Sequence, residues 1–395
     1  MKSKTARNAV LALVGLLALT IYILACTSFS PDDTKVLYPT FGGTNGAVGV
    51  AVYERESGRS ELLFVPVVFE EAEGQAAAPQ LLRSQWLADG RRVLVAWPGE
   101  KNSDLLNLVL IPWGSRGPVK LFSLPKVKDA GAMLLMPLPV AGDRVLIMES
   151  RQQVARLDLK TGGLARHSLG DEKSEFSLYP AAADQGAFYL QERKEPERSR
   201  VFGRLEPDSF ALTPLVTFTN EPADGSFFTY DEQGKRVAFV EKGPGSGLQL
   251  VVREQGKPPL TRPLETEGEE LGFGNAVFSR KGDTLLASCQ KKKAGAALAS
   301  YSLLEIPLGA APVRETVLIP ALETKDEGVA FYFQVGVSHD GKTAAAASTY
   351  LACAATKDFK PEDCALFFVD LSDAKRKVTK VPIPLPAERS APGGR

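Results

Sequence analysis

Hydrophobic residues in this chain gather into short runs, and each run follows a small polar turn. The turn has the form small-x-Asp-Gly or x-Gly-Lys/Arg/Asp, and the run after it alternates or is apolar throughout. The pair occurs as FSPDDTKVLY from Phe29, WLADGRRVLVAW from Trp86, PVAGDRVLIM from Pro139 and AAADQGAFYLQ from Ala181. It recurs as TYDEQGKRVAFVE from Thr229, VFSRKGDTLLASC from Val277 and VSHDGKTAAAAS from Val337. Asp33, Gly90, Gly142, Gly186, Gly234, Gly282 and Gly341 align, at intervals of 44 to 59 residues. Glycine at such a turn takes a positive φ at little cost, as a tight hairpin requires. A run that is apolar on both alternating faces suits a strand buried between two sheets.

Most of these runs are followed by a second hairpin. Examples are LNLVLIPWGSRGPVKLFSLP, QVARLDLKTGGLARHSL, LQLVVREQGKPPLTRPL and CALFFVDLSDAKRKVTKVPIPL, with KTGG, EQGK and SDAK among the tips. Each unit therefore predicts four strands. No segment beyond the N-terminal run carries a long helical period. Four-stranded units at this spacing predict an all-β chain folded as a β-propeller. Seven copies predict seven blades; rings of six or eight also fit the spacing. The blades are expected over 26–387, with EEAEGQAAAPQ (70–80) as a loop and 388–395 as a disordered tail. Ring closure is expected by strand pairing between the termini, with the residues just after Cys26 and the strand VTKVPIPL as candidates.

The turns carry a family resemblance. Ser30-Pro31-Asp32-Asp33-Thr34-Lys35 is similar to the S-P-D-G-[KR]-x-apolar turns of TolB-like propellers, with Asp for Gly. Ser338-His339-Asp340-Gly341-Lys342 matches with His for Pro, and Ala88-Asp89-Gly90-Arg91 and Gly234-Lys235-Arg236-Val237 match in part. The resemblance implies the architecture and says little about a ligand.

The N-terminus adds a destination. Lys2, Lys4 and Arg7 precede an uncharged, mostly apolar run from Ala9 to Ala25. A basic stretch followed by a membrane-inserting segment addresses the chain out of the cytoplasm, with 1–25 as the signal. Ile23-Leu24-Ala25-Cys26 resembles a bacterial lipoprotein lipobox. That resemblance implies cleavage before Cys26 and acylation of the cysteine; an uncleaved signal anchor is the other reading. Thr27, rather than Asp, after the cysteine implies the outer membrane by the same resemblance. Cys353 and Cys364 enclose a polar stretch, and in an oxidising compartment they predict a disulfide, or else two unpaired thiols. Cys289, in a strand-like run, is expected to be buried.

Composition narrows the function. Lys and Arg total 47, Asp and Glu total 47, and no basic stripe stands out, so nucleic acid is not an expected partner. Two histidines, His167 and His339, leave little for metal or triad chemistry. GVSHDGKT (336–343) spells a phosphate-binding loop, but such a loop needs an α/β sheet around it, and no strand–helix alternation precedes it. As the seventh turn of the repeat it predicts a hairpin with Lys342 in water, and no nucleotide. GPGSG (243–247) places its serine one position late for a nucleophile elbow and predicts another hairpin tip. GDEKSE, EGEE and ERKEPERSR are expected to be solvated charge runs. Asp32 and Asp33 lack the spacing of a calcium loop. Phe227, Phe228 and Tyr230 are expected to pack between blades. No catalytic residue, metal or cofactor is assigned. The sequence thus favours a lipid-anchored module of the cell envelope that binds a protein or other ligand or serves as a scaffold, with an envelope protein, a peptide or a cell-wall component as its partner. The alternative is a propeller hydrolase or lyase acting on saccharide or peptide, with polar residues gathered at the channel mouth from several blades.

Overall fold

The computed structural model describes residues 27–382 apart from 43–46, 65–82, 99–104, 115–119, 126–136, 171–172, 182–185, 194–198, 220–226, 244–246, 265–268, 294–297, 324–333 and 348–364. Seven four-stranded antiparallel sheets follow one another along the chain, and within each the strands pair in sequence order. In chain order the blades occupy 28–64, 83–125, 138–168, 174–218, 228–264, 269–323 and 334–382. This is a seven-bladed β-propeller. The seven turns read from the sequence each join the first and second strands of one blade. The second hairpins supply the third and fourth strands.

The repeated turn has a common geometry. In five blades the residue opening the turn donates its N–H to the carbonyl five residues on and accepts from the N–H three residues on. Those residues are Ser30, Leu87, Asp231, Ser279 and Ser338. The residue three on has φ of 57° at Asp33, 61° at Gly90, 71° at Gly234, 68° at Gly282 and 70° at Gly341. The chain reverses there only through the left-handed region, which is why glycine recurs.

Burial explains the apolar second strands. In blade 1, Val36 and Tyr38 face blade 7 while Leu37 faces blade 2. Seven hydrophobic clusters result, each drawn from two adjacent blades. Full burial of each large apolar side chain is worth about 1.5–3 kcal/mol. The alanine run Thr343–Ala347 is a strand. Ala344 and Ala346 pack toward blade 6, and Ala345 and Ala347 toward Phe29 and Tyr38 of blade 1. Small residues on both faces let two neighbours approach, and packing overrides their low strand preference.

The ring closes differently from the sequence expectation. Ser28–Phe29 pairs with Leu37 and Val36 of its own blade, and Val378–Pro382 pairs with Ala365–Asp370 of its own blade. Each terminal blade supplies all four of its strands, so no position is left for a borrowed one. The seam between blades 7 and 1 is held by side chains instead. The other expectations at 1–26, 70–80 and 388–395, including the signal, Cys26 and the Cys353–Cys364 pair, lie outside the described residues.

Outer strands are exposed edges, and five carry a proline: Pro125, Pro214, Pro263, Pro320 and Pro382. Proline removes an N–H from the edge and blunts pairing with other chains.

Candidate functional site

Antiparallel order puts the strand 1–2 and strand 3–4 turns of every blade at one end of the ring. The strand 2–3 connections and the links between blades lie at the other end. The first strands line the axis and contact those of neighbouring blades. At the turn end they open into a cavity of about 510 Å³.

Five blades build this mouth. Phe29, Trp86, Pro139, Val140 and Pro180 give an apolar wall, with Pro31, Ala88, Ala141 and Ala181 at the turns. Two of these residues, Pro139 and Pro180, are prolines on first strands, whose axial edge pairs with nothing in the blade, so proline is tolerated there. The Trp86 indole donates to the Ser28 carbonyl at 3.3 Å, which fixes the ring across the blade 1–2 junction. Gln85 also lines the cavity, and its amide makes no hydrogen bond to the described residues.

The charged groups at the mouth are paired. Arg92 bridges Asp89 of its own turn and Asp143 of blade 3. Burial pushes the Asp143 carboxyl up, but Arg92 and Lys160 outweigh it and hold the group below the usual carboxylate range. His339 faces Asp33 across the closing seam, with its Nδ1 2.8 Å from Asp33 Oδ1. The same carboxylate accepts the N–H of His339 at 2.7 Å and of Asp340 at 2.9 Å. Arg55 of blade 1 donates to the Asp33 carbonyl at 3.0 Å and to Thr343 Oγ1 of blade 7 at 3.1 Å.

Such links occur at every junction. Arg156 donates to the Pro207 carbonyl, Tyr230 to Pro180, Arg236 to Gly282 and Arg280 to Ser338. Arg376 and Glu305 form a two-pronged ion pair between blades 7 and 6. The turn end is a ring of blade-to-blade contacts around the cavity.

The residues singled out in the sequence divide accordingly. His339 lines the mouth; His167 lies on an outer strand and stacks on Phe210 of the next blade, 4.9 Å between ring centroids. Lys342 extends into water and Thr343 begins a strand, so GVSHDGKT is a hairpin turn. Gly243 and Gly247 pair their backbones at the tip joining two strands. Phe227 packs against Phe273, while Phe228 and Tyr230 join Tyr179, Phe188 and Phe202 in an aromatic group at the blade 4–5 junction. Cys289 is buried and its thiol lies 3.4 Å from the Gln290 carbonyl. Asp32 accepts from Ser30 and Thr34, and Asp33 is committed to the seam. Among the described residues no three His, Cys, Asp or Glu side chains gather as metal ligands. No described helix is long and apolar enough to cross a membrane.

Trp86, Gln85, Arg92 and Asp143 were not singled out in the sequence. Their signal was positional: all sit on or beside the repeated turn, where the first strand ends.

No protein-family model matches the chain, and no curated protein matches its sequence. Solved structures do match. A puromycin hydrolase aligns over 91% of this chain and 53% of its own, at 12% identity and a TM-score of 0.54. A chain from an analysis of two prolyl endopeptidases aligns over 94% and 52%, at 14% identity and 0.52. The present chain therefore spans about half the length of either. TolB from Acinetobacter baumannii aligns over 89% and 80%, at 11% identity and 0.43. At these identities the likeness is one of fold.

Proposed function

We propose that this chain is a membrane-attached, extracytoplasmic propeller that binds a protein or peptide segment at the turn-end mouth of its axis. The cavity carries the reading. A volume of about 510 Å³ accommodates a few residues of a partner chain. Its wall offers an indole, three prolines and small residues, with the Gln85 amide as a polar handle. Sites of this kind recognise by shape and apolar contact. The acidic and basic groups at the rim already satisfy one another. Acid–base chemistry needs a group held ready for a substrate proton, so binding fits this rim better than catalysis. The basic N-terminus, the apolar run Ala9–Ala25 and the lipobox-like Ile23–Cys26 support attachment to the envelope, with lipidation at Cys26.

The test fills the cavity. Ala88→Arg combined with Ala141→Arg is expected to lower recovery of the bound envelope partner at least tenfold. Thr213→Arg, on the exposed outer strand of blade 4, is expected to leave it unchanged. Equal recovery from all three proteins would remove the mouth as the binding site. Turnover of a saccharide or peptide, lost in the filled variant, would show that the mouth belongs to an enzyme.

A further inference from the structure

The pairing of charges at the mouth leaves one ring atom over. Asp33 holds the His339 ring through Nδ1 at 2.8 Å, and the same carboxylate oxygen accepts the His339 N–H at 2.7 Å. An ionised carboxylate only accepts, so the proton of the neutral imidazole sits on Nδ1. Nε2, on the other edge of the ring, is then an acceptor. Its lone pair meets no donor among the described residues, while the side chain is 46% exposed and lines the cavity. The backbone that carries the ring is fixed as well. The Ser338 carbonyl accepts the Gly341 N–H, and the Ser338 hydroxyl donates to Asp340. Two blades on around the ring, the Gln85 amide lines the same cavity and offers both a donor and an acceptor. Blade 1 stands between the two and contributes Phe29 and Pro31 to the wall.

No charge is left over in the same way. Asp33, Asp89 and Asp143 stand against Arg55, Arg92 and Lys160, and each has a partner within the ring. A charged ligand would give up its hydration on entering and find no counter-charge of its own. A carboxylate at His339 would also set lone pair against lone pair.

The geometry points to the class of ligand: an uncharged peptide segment that donates one hydrogen bond to His339 Nε2. Asp33 makes that atom an acceptor by holding the proton on Nδ1, and the apolar wall covers the rest of the segment. His339 is thereby the specificity-determining residue of the mouth. Among the described residues no hydroxyl or thiol is bonded to Nε2, so the imidazole has no nucleophile to activate. This inference rests on the mouth being a binding site, as proposed above, and names what that site selects.

Random twelve-residue peptides displayed on phage are selected on the full-length protein. Binding of the selected peptides is expected to fall about tenfold or more when Ala88→Arg and Ala141→Arg fill the cavity. In one such peptide each donor is then removed in turn, backbone N–H groups by N-methylation and side-chain donors by alanine. One removal is expected to weaken binding about tenfold in the unaltered protein and less than about twofold in His339→Asn. Asparagine keeps a donor for Asp33 at the Nδ1 position and has no acceptor at the Nε2 position, so the midpoint of thermal unfolding is expected to be kept. A methyl group on His339 Nε2, introduced through an unnatural amino acid, leaves the ring and its Nδ1–H in place; it is expected to act as His339→Asn does, and it decides the matter if that variant does not fold. Failure to select any peptide that the filled cavity releases would refute the binding site, and this inference with it. Peptides held in the mouth for which every removal costs the same in both proteins would refute His339 as the acceptor alone. Selected peptides that need a charged residue at the sensitive position would refute the uncharged class.

Discussion

The two turns nearest the TolB-like pattern each depart from it at one residue, Asp33 for Gly and His339 for Pro, and these two residues meet across the closing seam. Asp33 holds a φ of 57° that costs roughly 1 kcal/mol for a residue with a side chain. Its carboxylate takes two backbone N–H groups and the imidazole of blade 7, and hydrogen bonds to charged groups are each worth about 1.5–3 kcal/mol. The bonds outweigh the strain. Asp33→Gly, which restores the repeat's own turn residue, is therefore expected to destabilise by about 2 kcal/mol or more in urea unfolding. A gain in stability would show that the seam does not depend on this carboxylate. Asp32 next to it answers to pH. Burial pushes its carboxyl up, but hydrogen bonds from Ser30 and Thr34 and the Lys35 charge outweigh it and hold it at about 2. A depressed carboxyl contributes stability above its unfolded value of 3.8 and loses it as pH falls toward 2. Asp32→Asn is expected to flatten that part of the stability–pH curve; an unchanged slope between pH 4 and 2 would assign it to other carboxylates.

At the scale of elements, the first strand of blade 6 is interrupted by a bulge between Phe273 and Ala276. The bulge frees Asn275, whose side chain does the work of a strand. Its amide donates to the Val335 carbonyl at 3.1 Å and accepts the Val335 N–H at 2.8 Å. Two backbone groups on the axial edge of blade 7 are thereby satisfied. Leaving a buried polar group unpaired costs about 1–3 kcal/mol, so Asn275→Ala is expected to destabilise by about 2–4 kcal/mol. Thermal unfolding with no change in midpoint would mean that water replaces the amide. Nothing in the local pattern marked this residue, because its partner lies 60 positions away. The hairpins, by contrast, were legible. Asp-Gly and Gly-Lys turns before runs such as VLVAW and VAFV are local chemistry, and even the weak copy at Ala181–Gln191 carries its glycine at φ 79°. The turn at Gly341 spells a phosphate-binding loop only by coincidence of residues. Lys342→Ala is expected to leave nucleotide titrations as flat as in the unaltered protein; ATP affinity lost on that change would overturn the hairpin reading.

At the scale of the whole molecule, seven inter-blade cores and a polar link at each junction make a ring in which no strand is exchanged. Repetition made the blade number readable. Closure was not readable, because it rests on a two-residue strand and on side chains 306 positions apart. The mouth was hidden for the same reason: residues from Ser28 to His339 converge on it, and each alone is an ordinary turn or strand-end residue. The most direct measurement of the central claim is site-specific photo-crosslinking in the intact envelope. A photoreactive residue at Gln85, inside the mouth, is predicted to capture a discrete partner, and the same group at Thr213 on the outer strand of blade 4 to capture none. Adducts at Thr213 with none at Gln85 would contradict a partner seated on the axis.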